Sequence, residues 1–380
     1  MSEPRRILYC LDTLGAGGVE RQTVALITRL DRRQYAPAVL CLHAGRQGST
    51  LHFLPELQRA GVPVEILDLR WRPLEIVTGL ARVIPAVRRI RPAIVHAVNH
   101  HGNHLLRLAR PFLPPSLRLI TAVRTDYNAR QLWYERVLHY AARRVVCNSP
   151  HLEVKLRERS RIPARKLRYI PNGLDCARFA TNPDPGWRAR HAPDARRVVA
   201  MLGRITLQKS PHLLAEALGR LKQRDELPPG LRVVIAGDPE SAQIQRQLDD
   251  AVTRHGLGSV ITQLPATSQA EAIYHAADFT VLASLWEGLP NVVIESLAAG
   301  RPALVSDAAN AAGVVTEGVT GWVTRTNDVP ALAQRLGEVL RLADADLAGM
   351  REACQRRATD FSMERMVARY HDLYAELLVE

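Results

Sequence analysis

Two carboxylates, Glu287 and Glu295, bracket the stretch EGLPNVVIE, and Gly288, Leu289, Pro290 and Asn291 lie between them. Pro290 and Asn291 have the chemistry of a helix start. Glu287 then stands on the preceding loop, and Glu295 projects about one turn into the helix. Acids so placed span a ligand with a sugar at one side and a ribose at the other, and a diphosphate fits the helix amino terminus between them. The plainer reading of Glu295 is an exposed acid on a helix face. A second anion site is suggested by LGRITLQKS, where Arg204 follows a strand and Lys209 precedes a new helix. Two cations beside orphan helix amides attract phosphate; an exposed loop with incidental charge is the alternative. In VIAGDPES, Gly237 and Asp238 end a strand where backbone can approach a ligand closely.

Short apolar strands alternating with amphipathic helices must position these loops. RRILYCLD, YAPAVLCLH, PVEILDL, AIVHAV, RLITAVR and RRVVCNS read as strands, separated by helical stretches such as GGVERQTVALITRL. The pattern restarts with RRVVAMLGRI near residue 197 and continues through LRVVIAGD, SVITQLP, FTVLAS and PALVSD. Alternation of this kind implies parallel, doubly wound sheets. We expect an α/β fold of two Rossmann-like domains facing a central cleft: residues 1–182, a polar linker over 183–196, and residues 197–358. A terminal amphipathic helix over 359–380 is expected to cross back onto the first domain. In such sheets ligands bind beyond the carboxyl ends of the strands.

Composition narrows the class. The chain has 380 residues, 47% hydrophobic and 23% charged, as in soluble globular proteins. It has no run of apolar residues long enough to span a bilayer, and the N-terminus has no signal-peptide pattern. A cytoplasmic protein is expected. Five scattered cysteines argue against a disulfide framework or a zinc site. Residues 1–180 hold 30 Lys and Arg against 13 acids, leaving 21 against 25 in the remainder. This basic half, rich in Arg, suits phosphates and anionic headgroups. Nucleic acid is an unfavoured partner, since aromatic content is 5% and no recognition motif accompanies the charge.

The ordered motifs LGAGGVERQTVAL, VVCNSPHLEVKL, IPNGLD, GRITLQK, VIAGD, EGLPNVVIE and GVTGWV resemble those of the retaining GT-B glycosyltransferases of family 4, whose E-x7-E motif EGLPNVVIE matches. The resemblance covers nearly the whole chain. It implies transfer of a hexosyl group from a nucleotide-sugar to a glycan or lipid-linked acceptor, with retention and without a metal or other cofactor. A UDP-sugar is the favoured donor, with GDP-mannose as competitor. Arg204 and Lys209 would neutralise the diphosphate leaving group, Glu287 would contact sugar hydroxyls, and Glu295 would accept from the ribose. Gly17, Gly18, Gly237, Asp238 and the backbone near Leu264 would line the donor, together with Gly288 to Asn291. The carboxylates are then no glycosidase dyad, which requires both acids at one bond.

On the acceptor side the candidates are His101, Asn103, Arg124 and Asn172. Arg124 stands where many relatives carry a His, and SDAANAAGVV carries Ala309, Asn310 and Gly313 in place of the family's Gly-Gly and acid. The Arg-rich half suggests peripheral contact with an anionic inner-membrane surface, with HLLRLARPFLPPSLRLI as the candidate stretch. A GT-B phosphorylase, an NDP-sugar epimerase and a silent sugar-binding scaffold remain the alternatives.

Overall fold

The computed structural model describes residues 3–44, 51–69, 75–125 and 127–379. They divide into two compact units: Met1–Gly173 with Met363–Glu380, and Leu174–Ser362. The first unit holds β1 (Arg5–Leu11), β2 (Tyr35–Cys41), β3 (Val64–Ile66), β4 (Ile94–Ala97), β5 (Arg118–Val123), β6 (Arg144–Cys147) and β7 (Leu167–Tyr169). The second holds β8 (Arg197–Leu202), β9 (Leu231–Ala236), β10 (Ile261–Leu264), β11 (Phe279–Leu282), β12 (Ala303–Ser306) and β13 (Gly321–Thr324).

The sheets run β3-β2-β1-β4-β5-β6-β7 and β10-β9-β8-β11-β12-β13, with parallel pairing throughout. These are the two doubly wound units expected. Parallel strands covered by helices on both faces are buried on both sides, which explains the unbroken apolar run VVAML that follows Arg197 in β8, a strand buried at every position. Strand order reverses between β1 and β4 and again between β8 and β11. Such switch points open a crevice at the carboxyl ends of the strands. In the second unit the loops at this point are 203–210 and 283–290, which contain Arg204, Lys209 and Glu287.

The unit boundaries differ from those expected. The first unit ends at Gly173 rather than 182, because the Gln22 side chain donates to the Gly173 carbonyl at 2.8 Å and accepts from its amide at 2.9 Å. Leu174 already belongs to the second unit, donating to the Phe361 carbonyl at 2.8 Å. The stretch 183–196 is no linker. Trp187 and Ala192 are buried in the second unit's core, and Arg188 pairs with Asp278 at 3.0 Å. A single Trp in a Pro- and Arg-rich run outweighs the composition around it. Strand β7, absent from the sequence reading, extends the first sheet by a short edge.

The terminal helix Met363–Val379 packs in the first unit. Its Tyr370, Leu373, Tyr374 and Leu377 are buried among Ile7, Tyr9 and Ile94. Burying each large apolar side chain is worth about 1.5–3 kcal/mol, so this helix is part of the core.

Candidate functional site

In the second unit the two switch-point loops are tied together. The Leu285 amide donates to the Gln208 carbonyl at 2.8 Å, and Gln208 Nε2 donates to the Trp286 carbonyl at 2.7 Å. This lacing brings Lys209 Nζ to 2.6 Å from Glu287 Oε1. Ser284 Oγ donates to the same oxygen at 2.9 Å. The pair is largely enclosed, with side-chain exposures of 17% for Lys209 and 8% for Glu287. Arg204 is exposed, and no hydrogen bond or ion pair holds it among the described residues. One cation is thus fixed and another is free to reach an anion.

The helix expected at Asn291 runs Asn291–Ala298, and no side chain caps it. Gly288 and Leu289 form the approach, with Leu289 buried, and the Pro290 carbonyl accepts from Val293 at 3.0 Å. Val293, Ile294 and Leu297 bury the inner face of the helix, which leaves Glu295 half-buried on its flank. Tyr274 Oη donates to Glu295 Oε2 at 2.8 Å. The tyrosine is fully buried, and burial beside this carboxylate pushes its hydroxyl far above its ordinary range. A neutral tyrosine hydroxyl therefore orients Glu295.

Gly237 has φ +155°, and a Cβ there would lie 2.7 Å from the Gly203 carbonyl carbon. The requirement for Gly comes from the crossing of two loops, and its amide is engaged by the Leu264 carbonyl at 2.9 Å. Asp238 accepts from the Ala266 amide at 3.0 Å, so it shapes the turn after β10. Asn310 bridges its own loop, accepting from the Val315 amide at 2.8 Å and donating to the Val315 carbonyl at 3.0 Å. With Gly313 at φ +64°, this holds the departure loop after β12 without the family's acid. Ala309 is buried there, and its amide meets Ser306 Oγ at 3.2 Å.

In the first unit the loop after β1 ends at Gly17, the N-cap of the helix Gly18–Arg29. A Cβ at Gly17 would collide with the Glu20 carboxylate, whereas one at Gly18 would meet open space. The two glycines are not equivalent. Burial raises the Glu20 carboxyl above its ordinary value, and also that of Asp12. Asp12 accepts from the Gly102 amide at 2.9 Å and the His101 amide at 3.3 Å, capping the helix His100–Ala109 from another strand.

The acceptor-side candidates separate. Asn103 is fully buried and bridges to Ala122, donating to its carbonyl at 2.7 Å and accepting from its amide at 3.3 Å. It fastens a helix to β5. His101 is partly exposed, 6.3 Å ring to ring from His43. Arg124 and Asn172 come together, Nη1 donating to Asn172 Oδ1 at 3.1 Å, while Nη2 donates to Tyr370 Oη at 2.6 Å. Arg124 is 9% exposed. Behind it, burial and the Arg124 charge push His96 down to about 3, and His96 Nδ1 lies 2.9 Å from Tyr374 Oη.

Sequence reasoning missed Ser284, Tyr274, Asp12, Glu20 and Tyr370. Asp12 and Glu20 flank the same Gly-rich loop that was singled out, so position at a strand end was the available signal. Tyr274 and Tyr370 reach their partners only through tertiary packing.

Residues 16–178 match the model of Glycosyltransferase Family 4, and residues 186–360 that of Glycosyl transferases group 1. A D-inositol 3-phosphate glycosyltransferase of Salinispora tropica is 30% identical over 278 residues, covering 69% of this chain and 57% of that protein. The UDP-Gal:alpha-D-GlcNAc-diphosphoundecaprenol alpha-1,3-galactosyltransferase of Escherichia coli is 27% identical, covering 65% and 64%. The chain therefore spans less than two thirds of the length of these relatives. Among solved structures, a glycosyltransferase from Rickettsia africae superposes with TM-score 0.85 at 21% identity, covering 99% of each chain. Anabaena HepE in complex with UDP superposes with TM-score 0.83 at 19% identity, covering 98% of this chain and all of that one. At these identities the likeness establishes the fold.

Proposed function

Since the chain belongs to the group 1, family 4 glycosyltransferases, we propose that it transfers a hexosyl group, with retention, from a nucleotide-sugar to a glycan or lipid-linked acceptor. The observation that carries this reading is the enclosed Lys209–Glu287 pair beside the uncapped helix start at Asn291. Lys209, Arg204 and the first helical amides receive the diphosphate and stabilise the charge that grows on it as the glycosidic bond breaks. Glu287, oriented by Ser284 and Lys209, accepts from donor-sugar hydroxyls. Glu295, oriented by Tyr274, accepts from the ribose. With cations and amides placed to meet the leaving group, the chemistry needs no divalent metal. A UDP-sugar is the favoured donor, a choice in keeping with the UDP-Gal in the name of the Escherichia coli relative.

Arg124, held by Tyr370 and Asn172, faces the acceptor side in this reading. Among the described residues no helix is long and apolar enough to cross a membrane; contact with an anionic bilayer would be peripheral and electrostatic.

The test is thermal stabilisation by UDP, GDP, ADP and their sugars, each with magnesium and with a chelator. A shift with one base, unchanged by chelation and lost in Arg204→Ala or Lys209→Ala, is expected. The anomeric configuration of the product, read by NMR, must match that of the donor. Inversion, or a nucleotide shift that requires magnesium, refutes the corresponding part of the proposal.

A further inference from the structure

The helix Ala270–Ala276 of the second unit follows β10, and it grips two neighbouring elements with side chains one turn apart. Glu271 pairs with Nε of Arg178, and Tyr274 Oη donates to Glu295 Oε2 at 2.8 Å. Positions i and i+3 of a helix lie side by side, about 5–6 Å apart at Cβ, so Arg178 and Glu295 are held as neighbours. Other contacts agree. Arg178 sits on the short helix Cys176–Ala180, which packs against the helix that carries Glu295. The Phe179 ring meets that of Tyr274 with centroids 5.9 Å apart, and the Phe179 carbonyl lies 2.9 Å from His275 Nε2.

The Arg178 guanidinium is fixed in place but only partly used. Glu271 is buried, and a buried carboxylate keeps its cation because either charge left alone is costly. Nη2 donates to the Ser268 carbonyl at 2.9 Å, on the loop that leaves β10 at the carboxyl edge of the sheet. One face of the guanidinium lies over the Phe179 ring at 5.4 Å. Nη1 has no hydrogen-bond partner among the described residues, and the side chain is 49% exposed. The bond to Glu271 chiefly, with the nearby charges of Glu271 and Glu295, outweighs desolvation and holds the guanidinium above its ordinary range.

We propose that Arg178 is a specificity residue for the ribose, with Nη1 donating to the oxygen of a ribose hydroxyl whose proton Glu295 accepts. A hydroxyl has one proton to give and lone pairs to receive, so a carboxylate and a guanidinium at its two sides use both capacities. A site built to bond a hydroxyl discriminates against the analogue that lacks it, because its polar groups then lose their partner. The proposal rests on the transferase reading above. It adds a residue to the nucleoside end of that site and selects a ribonucleotide over a deoxyribonucleotide.

The experiment titrates the full chain calorimetrically with UDP and GDP, each against its 2′-deoxy and 3′-deoxy forms. The wild type should prefer the ribonucleotide of the base it accepts over one deoxy form by about tenfold, the lower end for a hydrogen bond to a charged group. Arg178→Lys keeps a cation for Glu271 but loses the planar fork. It should cut that preference to about threefold or less, while the deoxy form binds as before. Glu295→Gln should lower the preference at the same hydroxyl. If the lysine variant fails to fold, Arg178→Met combined with Glu271→Gln removes the buried charge together with its partner and should show the same loss. A wild type indifferent to both hydroxyls overturns the proposal, as does an undiminished preference in the Arg178 variants. Equal weakening of ribonucleotide and deoxy forms also overturns it, since a merely structural ion pair would act that way. No binding of any of these nucleotides refutes the donor reading itself, whereas binding without a ribose preference removes the role of Arg178 alone.

Discussion

Replacing Glu287 by Gln should move donor binding and sugar transfer in opposite directions. The amide is nearly isosteric and can still accept from Ser284 Oγ, which lies 2.9 Å from the native carboxylate, so the loop keeps its shape. Lys209 keeps its charge and loses the carboxylate now 2.6 Å away. In the native site an arriving diphosphate competes with that carboxylate for Lys209 and is itself repelled by it. At ~7 Å and an effective dielectric of ~20–40, one like-charge repulsion is about 1–2 kcal/mol. That corresponds to roughly 5–30-fold in affinity. Free nucleoside diphosphate should bind E287Q tighter by that factor, measured calorimetrically, and the gain should change little with salt, because the pair is largely enclosed. Transfer from the intact nucleotide-sugar should fall by about 100-fold, since Gln offers a weaker acceptor to the sugar hydroxyls as charge develops. Unchanged or weaker nucleoside diphosphate binding by E287Q would refute the argument that this carboxylate restrains Lys209.

Other changes test the framework around the pair. Gly237→Ala should destabilise the second unit by about 2–4 kcal/mol and abolish the nucleotide-induced shift, because its Cβ would press on the Gly203 carbonyl; urea denaturation checks this. Gly18→Ala should be nearly neutral, within ~0.5 kcal/mol, whereas Gly17→Ala must displace the Glu20 carboxylate and should lower the melting temperature measurably. Tyr370→Phe removes the acceptor of Arg124 Nη2 and should cost about 1.5–3 kcal/mol, the worth of a bond to a charged group, read from the first unit's unfolding transition. His96 stays neutral in the fold until about pH 3, but an unfolded His gains its proton near 6.5. Its contribution is therefore lost as pH falls below 6.5, at ~1.4 kcal/mol per pH unit. His96→Asn should flatten the fall in stability between pH 6 and pH 4 by that slope.

What the sequence made legible was local. Strands buried on both faces carry unbroken apolar runs, so nearly every strand and both switch-point loops could be located, the loops by the charged and Gly residues at strand ends. Contacts that depend on docking were not legible. Arg124 reads as a cation free to reach a ligand, yet Tyr370, 246 positions away, takes one of its nitrogens. Asn103 and His101 share a helix start and the same polar pattern, but one is bonded to β5 and the other is partly exposed beside His43, a difference set by the helix's rotation against the sheet. Trp187 shows the same effect at a boundary, where one large apolar side chain draws a polar stretch into a core. A charge beside a strand end is therefore ambiguous in one dimension. Whether it clamps a ligand or fastens the fold depends on which distant element arrives to meet it. In the first unit that element is the terminal helix, whose Tyr370 and Tyr374 complete a polar network inside an otherwise apolar core. The helix that closes the fold also sets the orientation of Arg124, through the Tyr370 hydroxyl.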